Sequence, residues 1–212
     1  MSDPFSRERV QAAYDAAAED YQVSFGNDLA RLQLDRDMLD TARMSAADGR
    51  LLDLGCGTGS AGTYLSEKGA RVVGLDLSLG MLRCIPGRAL ASCQGDMRRL
   101  PFAEGVFAGV IAYYSIHSVP RSEVLSVLAE ANRVLRSKGV LLLSTHIGEG
   151  EVYVDEFLGH RVATVGGTLY TSEEVVSQVS TAGFTVEISE TRGPLAHEHQ
   201  SQRVYVFARR TS

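Results

Sequence analysis

Hydrophobic spacing along the chain changes period repeatedly, and the changes mark out its elements. Residues 7–44 follow a helical period, with Val10, Tyr14 and Tyr21 near one face and Leu29, Leu32 and Leu39 in a second segment. Phe25-Gly26-Asn27-Asp28 separates the two. The turn Ala46-Ala47-Asp48-Gly49 leads into a strand over 50–54, a helix over 60–68 stopped at Gly69, and a strand over 71–75. A short helix over 78–84, a weak strand over 89–94 and a stronger one over 106–113 continue the alternation. An amphipathic helix over 123–135 is expected to end at Ser137-Lys138-Gly139. The nearly continuous apolar run 140–145 then has the character of a strand buried on both faces of a parallel sheet.

The tail has a different rhythm. Thr171-Ser172-Glu173-Glu174 has the form of a capping box and predicts a helix to Ala182-Gly183, followed by strands over 184–190 and 202–209. No helix separates those strands, so they should pair antiparallel. Five strands alternating with helices and finished by such a hairpin predict an α/β fold in one domain, residues 1–212. Residues 1–47 are expected to form an N-terminal helical lid, and residues 147–170 an insertion on the substrate side.

Composition narrows the function classes. The chain has 212 residues, 44% hydrophobic and 22% charged, as expected of one globular domain. Its net charge of -5 disfavours a surface that tracks nucleic-acid phosphates. Cys56, Cys84 and Cys93 have neither metal spacing nor a disulfide framework, and no signal-peptide core or membrane-spanning run is present. A cytoplasmic location and no membrane partner are therefore expected.

The chemistry concentrates in Leu51-Leu52-Asp53-Leu54-Gly55-Cys56-Gly57-Thr58-Gly59. Glycines at alternate positions permit a tight turn and close approach of a ligand to the backbone. Gly57-x-Gly59-x-x-Gly62, with Asp76 downstream, also fits a dinucleotide fingerprint. Asp53 weighs against that, since a carboxylate repels a pyrophosphate but suits a ligand bearing an ammonium and a ribose. A nicotinamide-dependent oxidoreductase is thus one alternative, and a cofactor-binding protein without catalysis is another.

Four motifs in order carry a resemblance: residues 51–59, Val72-Val73-Gly74-Leu75-Asp76, Gly95-Asp96-Met97, and Val110-Ile111-Ala112-Tyr113-Tyr114-Ser115-Ile116-His117. Together they resemble the class I S-adenosylmethionine-dependent methyltransferases, in the group similar to the ubiquinone-biosynthesis enzymes. That resemblance implies a Rossmann-like seven-stranded sheet, mostly parallel, with one antiparallel strand and helices on both faces. It also implies S-adenosylmethionine as cofactor and S-adenosylhomocysteine as product. Asp53, Gly55, Cys56, Gly57 and Gly59 would surround the methionine part, with Cys56 a small side chain of no assigned reactivity. Asp76, an acceptor-only carboxylate, would take the ribose hydroxyls, beside Leu77 and Met81. Gly95, Asp96 and Met97 would address the adenine, and Ala112 and Tyr113 the methionine ammonium. Tyr14 and Tyr21, two helical turns apart, are either core residues or a cover over the cofactor.

The five histidines, His117, His146, His160, His197 and His199, all fall near the carboxyl ends of predicted strands, the edge where open α/β sheets bind ligands. In the strand order that the resemblance implies, His117 and His146 follow neighbouring strands and are the candidate general bases, though polar loops on that edge also collect histidines without a role. His197-Glu198-His199 lacks a third metal ligand, so no metal site is assigned. Candidate acceptor-binding residues are Tyr114, Ser115, His117, His146, Tyr153, Phe157 and His197. The expected acceptor is a small, partly apolar molecule methylated on oxygen or nitrogen, such as a secondary metabolite.

Overall fold

The computed structural model describes residues 3–47, 49–88, 90–196 and 198–211. Two helices, α1 (Arg7–Phe25) and α2 (Gln33–Ala46), precede the sheet and are separated by a short 3-10 turn, Asp28–Arg31. The alternation continues through β1 (Arg50–Leu54), α3 (Ser60–Glu67), β2 (Arg71–Asp76), α4 (Leu79–Arg83), β3 (Ala91–Gln94), β4 (Phe107–Tyr113), α5 (Val124–Val134) and β5 (Leu135–His146). After β5 come β6 (Glu151–Phe157), β7 (His160–Thr168), α6 (Ser172–Thr181), β8 (Phe184–Arg192) and β9 (Arg203–Arg210).

Seven strands form one sheet in the order β3-β2-β1-β4-β5-β9-β8. The pairs among β1 to β5 are parallel, whereas β9 runs antiparallel to both β5 and β8. This is the expected Rossmann-like architecture. Its two faces follow from the period of two along each strand. Leu52, Val110, Leu141 and Val206 point into a core with α5 and α6, while Leu51, Ile111, Leu142 and Phe207 point into a second core with α2 and α3.

Helix α5 shows why tertiary packing decides these helices. Val124, Val127, Leu128, Ala131 and Val134 fall on one buried stripe. An eleven-residue helix is marginal alone, and burying each larger aliphatic at roughly 1.5–3 kcal/mol fixes it to the sheet. The capping box at Thr171 and Glu174 is formed in both directions, with distances of 3.2 and 2.8 Å.

One expectation needs correction, and one segment gains a structure that the pattern did not show. The chain turns extended at Leu135 rather than at residues 137–139, because Leu135 is fully buried and pairs with Phe107 before the ladder resumes at Gly109 and Val140. Residues 136–139 make an excursion, with Lys138 at φ 61°. The insertion 147–170 is mostly a two-stranded antiparallel ribbon, β6 and β7, turned at Leu158-Gly159. Every residue of β6 up to Glu156 is exposed, so no hydrophobic alternation announced that strand. Of the expected segments, Asp48 of the first turn and Ala89 of the weak strand lie outside the described residues.

Helix α1 bridges the sheet edge and the ribbon. At one end of this contact Asp15 Oδ1 accepts from Ser78 Oγ at 2.5 Å and from the Gly80 amide at 2.8 Å. At the other, Arg9 donates to the Thr164 carbonyl, His160 Nε2 lies 2.7 Å from Asp20, and the Gly166 amide donates to Pro4.

Candidate functional site

The carboxyl ends of β1, β2, β4 and β5 meet beneath α1, around a cavity of about 340 Å³. The loop after β1 forms one wall. Gly55 takes φ 73°, and a Cβ there would stand 2.4 Å from the Ser115 Cβ; Gly57 takes φ 53°. The Gly55 and Cys56 amides both donate to the Leu75 carbonyl, which draws the loop against β2. Asp53, just behind it, is 1% exposed, and its Oδ2 has no hydrogen-bond partner. Burial pushes its carboxyl up to about 7; the neighbouring Gly62 amide opposes the shift and Asp76 adds to it.

Asp76 closes β2 with both oxygens facing backbone amides: Gly57 N at 2.8 Å and Ser78 N at 2.8 Å. Leu77 and Met81 line the cavity beside it, and the Met81 amide is capped by Ser78 Oγ at 3.0 Å. Gly95, Asp96 and Met97 line the next portion. Asp96 is not free, however. Its two oxygens accept four contacts from Arg98, at 2.9 to 3.1 Å, and Arg98 continues to Glu123 at 3.0 Å. A carboxylate has about four acceptor positions, so an adenine amino group would have to displace one of these bonds.

The opposite wall is aromatic and imidazole-rich. Tyr114 has φ 51°, an uncommon conformation for an aromatic residue, and its amide donates to the Ser144 carbonyl at 3.0 Å. Its hydroxyl lies 2.6 Å from Tyr205 and 3.2 Å from Asp35, which also accepts from Tyr113 at 2.7 Å and from Arg192 at 3.1 Å. His117 and His146 face the same cavity, with ring centroids 6.1 Å apart. Tyr14 OH sits 3.2 Å from His117 Nε2, while His117 Nδ1 and Ser115 Oγ are buried without partners. Burial pulls the His117 imidazole down to about 4. Burial, then His117 and Arg203, pull His146 down to about 3. Both are neutral near pH 7 and can accept a proton or a hydrogen bond.

Tyr14, Tyr21 and Phe157 cover the cavity together, with Tyr14 and Phe157 rings 5.2 Å apart. Three of the described expected site residues do not line it. Gly59 turns toward Ile85, and Ala112 points into the α5 core by strand alternation. Tyr153 stands outside on the exposed ribbon, with its hydroxyl donating to Glu151. His197 lies outside the described residues. The lining also includes Phe25, Ser60, Arg98 and Arg203, which sequence reasoning missed, and Glu198 and His199, to which it assigned no site role. Phe25 was legible as the end of the Tyr14 and Tyr21 stripe. Glu198, His199 and Arg203 reach the cavity only because β9 lies beside β5. Among the described residues, no three His, Cys, Asp or Glu side chains are grouped to hold a metal ion.

The donor set fits a sulfonium nucleoside. A buried, unpartnered carboxylate oxygen awaits a cation, a second carboxylate lies one strand away, and apolar side chains floor the space between. Residues 52–143 match the family model described as a methyltransferase domain. A demethylmenaquinone methyltransferase of Beutenbergia cavernae is 34% identical over 141 residues, 64% of this chain and 57% of that one. The chain spans about half the length of the curated relatives it matches. In fold it is similar to an S-adenosylmethionine-dependent methyltransferase of Thermotoga maritima, at 18% identity and TM-score 0.70, over 95% of this chain and 99% of that one. A glycopeptide N-methyltransferase solved with sinefungin, an analogue of the cofactor, aligns at 19% identity and TM-score 0.63, over 83% and 86%. Residues 52–143 thus carry a methyltransferase domain on a fold shared with S-adenosylmethionine-dependent methyltransferases, and together these support a class I S-adenosylmethionine-dependent methyltransferase with S-adenosylmethionine as cofactor.

Proposed function

We propose that this chain methylates a small acceptor on a hydroxyl oxygen or an amine nitrogen. One observation carries this reading: a single cavity is lined by Asp53, whose Oδ2 has no hydrogen-bond partner, and by two neutral imidazoles, His117 and His146. S-adenosylmethionine, when bound, supplies an electrophilic methyl group on sulfur. Asp53 and the glycine loop take its methionine part, Asp76 its ribose, and the Gly95 to Met97 turn its adenine. Tyr114, Ser115, His117, His146 and Phe157 surround the acceptor. An in-line displacement needs chiefly alignment and exclusion of water, and Tyr14, Tyr21 and Phe157 supply both from above. Residues 1–47 act as a lid, and the ribbon within 147–170 braces it. A neutral imidazole then takes the proton that a hydroxyl nucleophile must lose.

Calorimetric titration with S-adenosylhomocysteine beside oxidised and reduced nicotinamide dinucleotides tests the cofactor site. Binding of the homocysteine product alone is expected; binding of a dinucleotide would overturn the assignment. Methyl-tritiated cofactor with a panel of phenols and amines then tests transfer. Transfer that falls in His117→Gln or His146→Gln is expected, whereas cofactor binding with no labelled product across the panel would favour binding without methyl transfer.

A further inference from the structure

Transfer to a hydroxyl leaves a proton in a cavity covered by α1 and the ribbon. The acceptor oxygen forms a bond to the methyl carbon, the carbon–sulfur bond breaks with its pair on sulfur, and the hydroxyl proton must depart. His146 is placed to receive it but not to keep it. At the end of β5 it faces Tyr114 and His117 from the segment after β4, Arg203 from β9, and Glu198 and His199 from the loop between β8 and β9. Arg203 and the two imidazoles disfavour a second positive charge. Glu198 favours one, but Arg192 holds it at 2.6 and 2.8 Å.

Behind His146 stands a connected pair of groups. Ser201 Oγ is 2.7 Å from His146 Nδ1 and 3.3 Å from His199 Nδ1, and His199 is exposed. A hydroxyl both donates and accepts, so Ser201 is able to join two imidazoles head to tail. The turn is held in place by the Ser201 amide donating to the His199 carbonyl at 2.8 Å and by Arg203 Nη1 donating to the His199 and Ser201 carbonyls.

Building on the proposed transfer reaction, we propose that the acceptor's proton leaves by a relay: His146 Nε2 takes it, His146 Nδ1 passes its own proton to Ser201 Oγ, and Ser201 passes its hydroxyl proton to His199 Nδ1. His199 then gives a proton to water. Once product has left, Nε2 exchanges its proton with solvent and Nδ1 is reprotonated through Ser201, so the chain of groups returns to its starting state. Ser201 and His199 are positioning and relay residues; neither is needed to hold the cofactor.

The test uses the full chain saturated with S-adenosylhomocysteine and long-range nitrogen–proton NMR of the histidines. In the wild-type protein and in Ser201→Thr, His146 should carry its proton on Nδ1, and its ring nitrogens should shift as His199 is protonated. Ser201→Ala should lose that coupling and admit the Nε2–H form. A wild-type His146 protonated on Nε2, or coupling that survives in Ser201→Ala, would overturn the relay. With the phenol that responds in the panel above, Ser201→Ala should lower kcat about tenfold or more with KM unchanged, and Ser201→Thr should restore it. Equal kcat in Ser201→Ala would sink the relay while leaving methyl transfer intact. Failure of the wild-type protein to methylate any panel member would instead fall on the transfer reading itself.

Discussion

Asp53 is the residue whose environment says most about its task. Its raised carboxyl means that the folded protein binds a proton more tightly than the unfolded chain does. The stability gained from that proton is present below pH 4 and lost as pH rises toward about 7. An ammonium ligand reverses the preference, since it needs the charged form. Cofactor affinity should therefore increase from pH 6 to pH 8, and Asp53→Asn should bind weakly with no such slope, as calorimetry at several pH values would show. Asp76 differs, because its oxygens already fasten Gly57 and Ser78. Asp76→Ala should cost about 1–3 kcal/mol of cofactor binding, and unchanged affinity would contradict the ribose role. Both residues were legible as acids closing strands. Asp96 was too, but Arg98 lies two residues away and its claim on that carboxylate depends on side-chain geometry that spacing does not reveal.

At the scale of elements, the active edge depends on α1 lying where it does. Asp15 serves α4 as an external cap, and Gly80 lets the helices touch: a Cβ there would sit 2.9 Å from the Asp15 Cα. Gly80→Ala should lift α1 without unfolding the sheet. The expected result is weaker retention of S-adenosylhomocysteine, faster hydrogen exchange in α1, and near-wild-type exchange in β4 and β5. Uniformly faster exchange would mean that α1 is part of the core rather than a cover. The sheet strands and most helices were readable from periodicity because each has one or two buried faces. The ribbon β6 and β7 was not, since its partner is α1 and its other surface meets solvent.

Across the whole molecule, one buried polar network joins parts far apart in sequence. The Asp35 side chain on α2 is fully buried and is paired with Arg192 on β8, which also holds Glu198; Tyr113, Tyr114 and Tyr205 complete the group. Removing one partner of such a pair leaves a charge without compensation. Arg192→Met should destabilise the protein by about 3–5 kcal/mol in urea unfolding, and adding Asp35→Asn should recover part of that loss. A cost below about 1 kcal/mol would reduce the network to a surface-like ion pair. No helix among the described residues is long and apolar enough to cross a membrane. By itself the sequence determined the order of the sheet strands and the helices, the glycine loop with its acid, and the antiparallel ending, because those depend on local period and backbone freedom. Only the tertiary structure decided that Arg98 occupies Asp96, that Tyr153 and Ala112 miss the cavity, and that Glu198, His199 and Arg203 enter it. Those outcomes rest on which strands lie side by side, and strand adjacency is set by burial of the whole sheet rather than by any one segment.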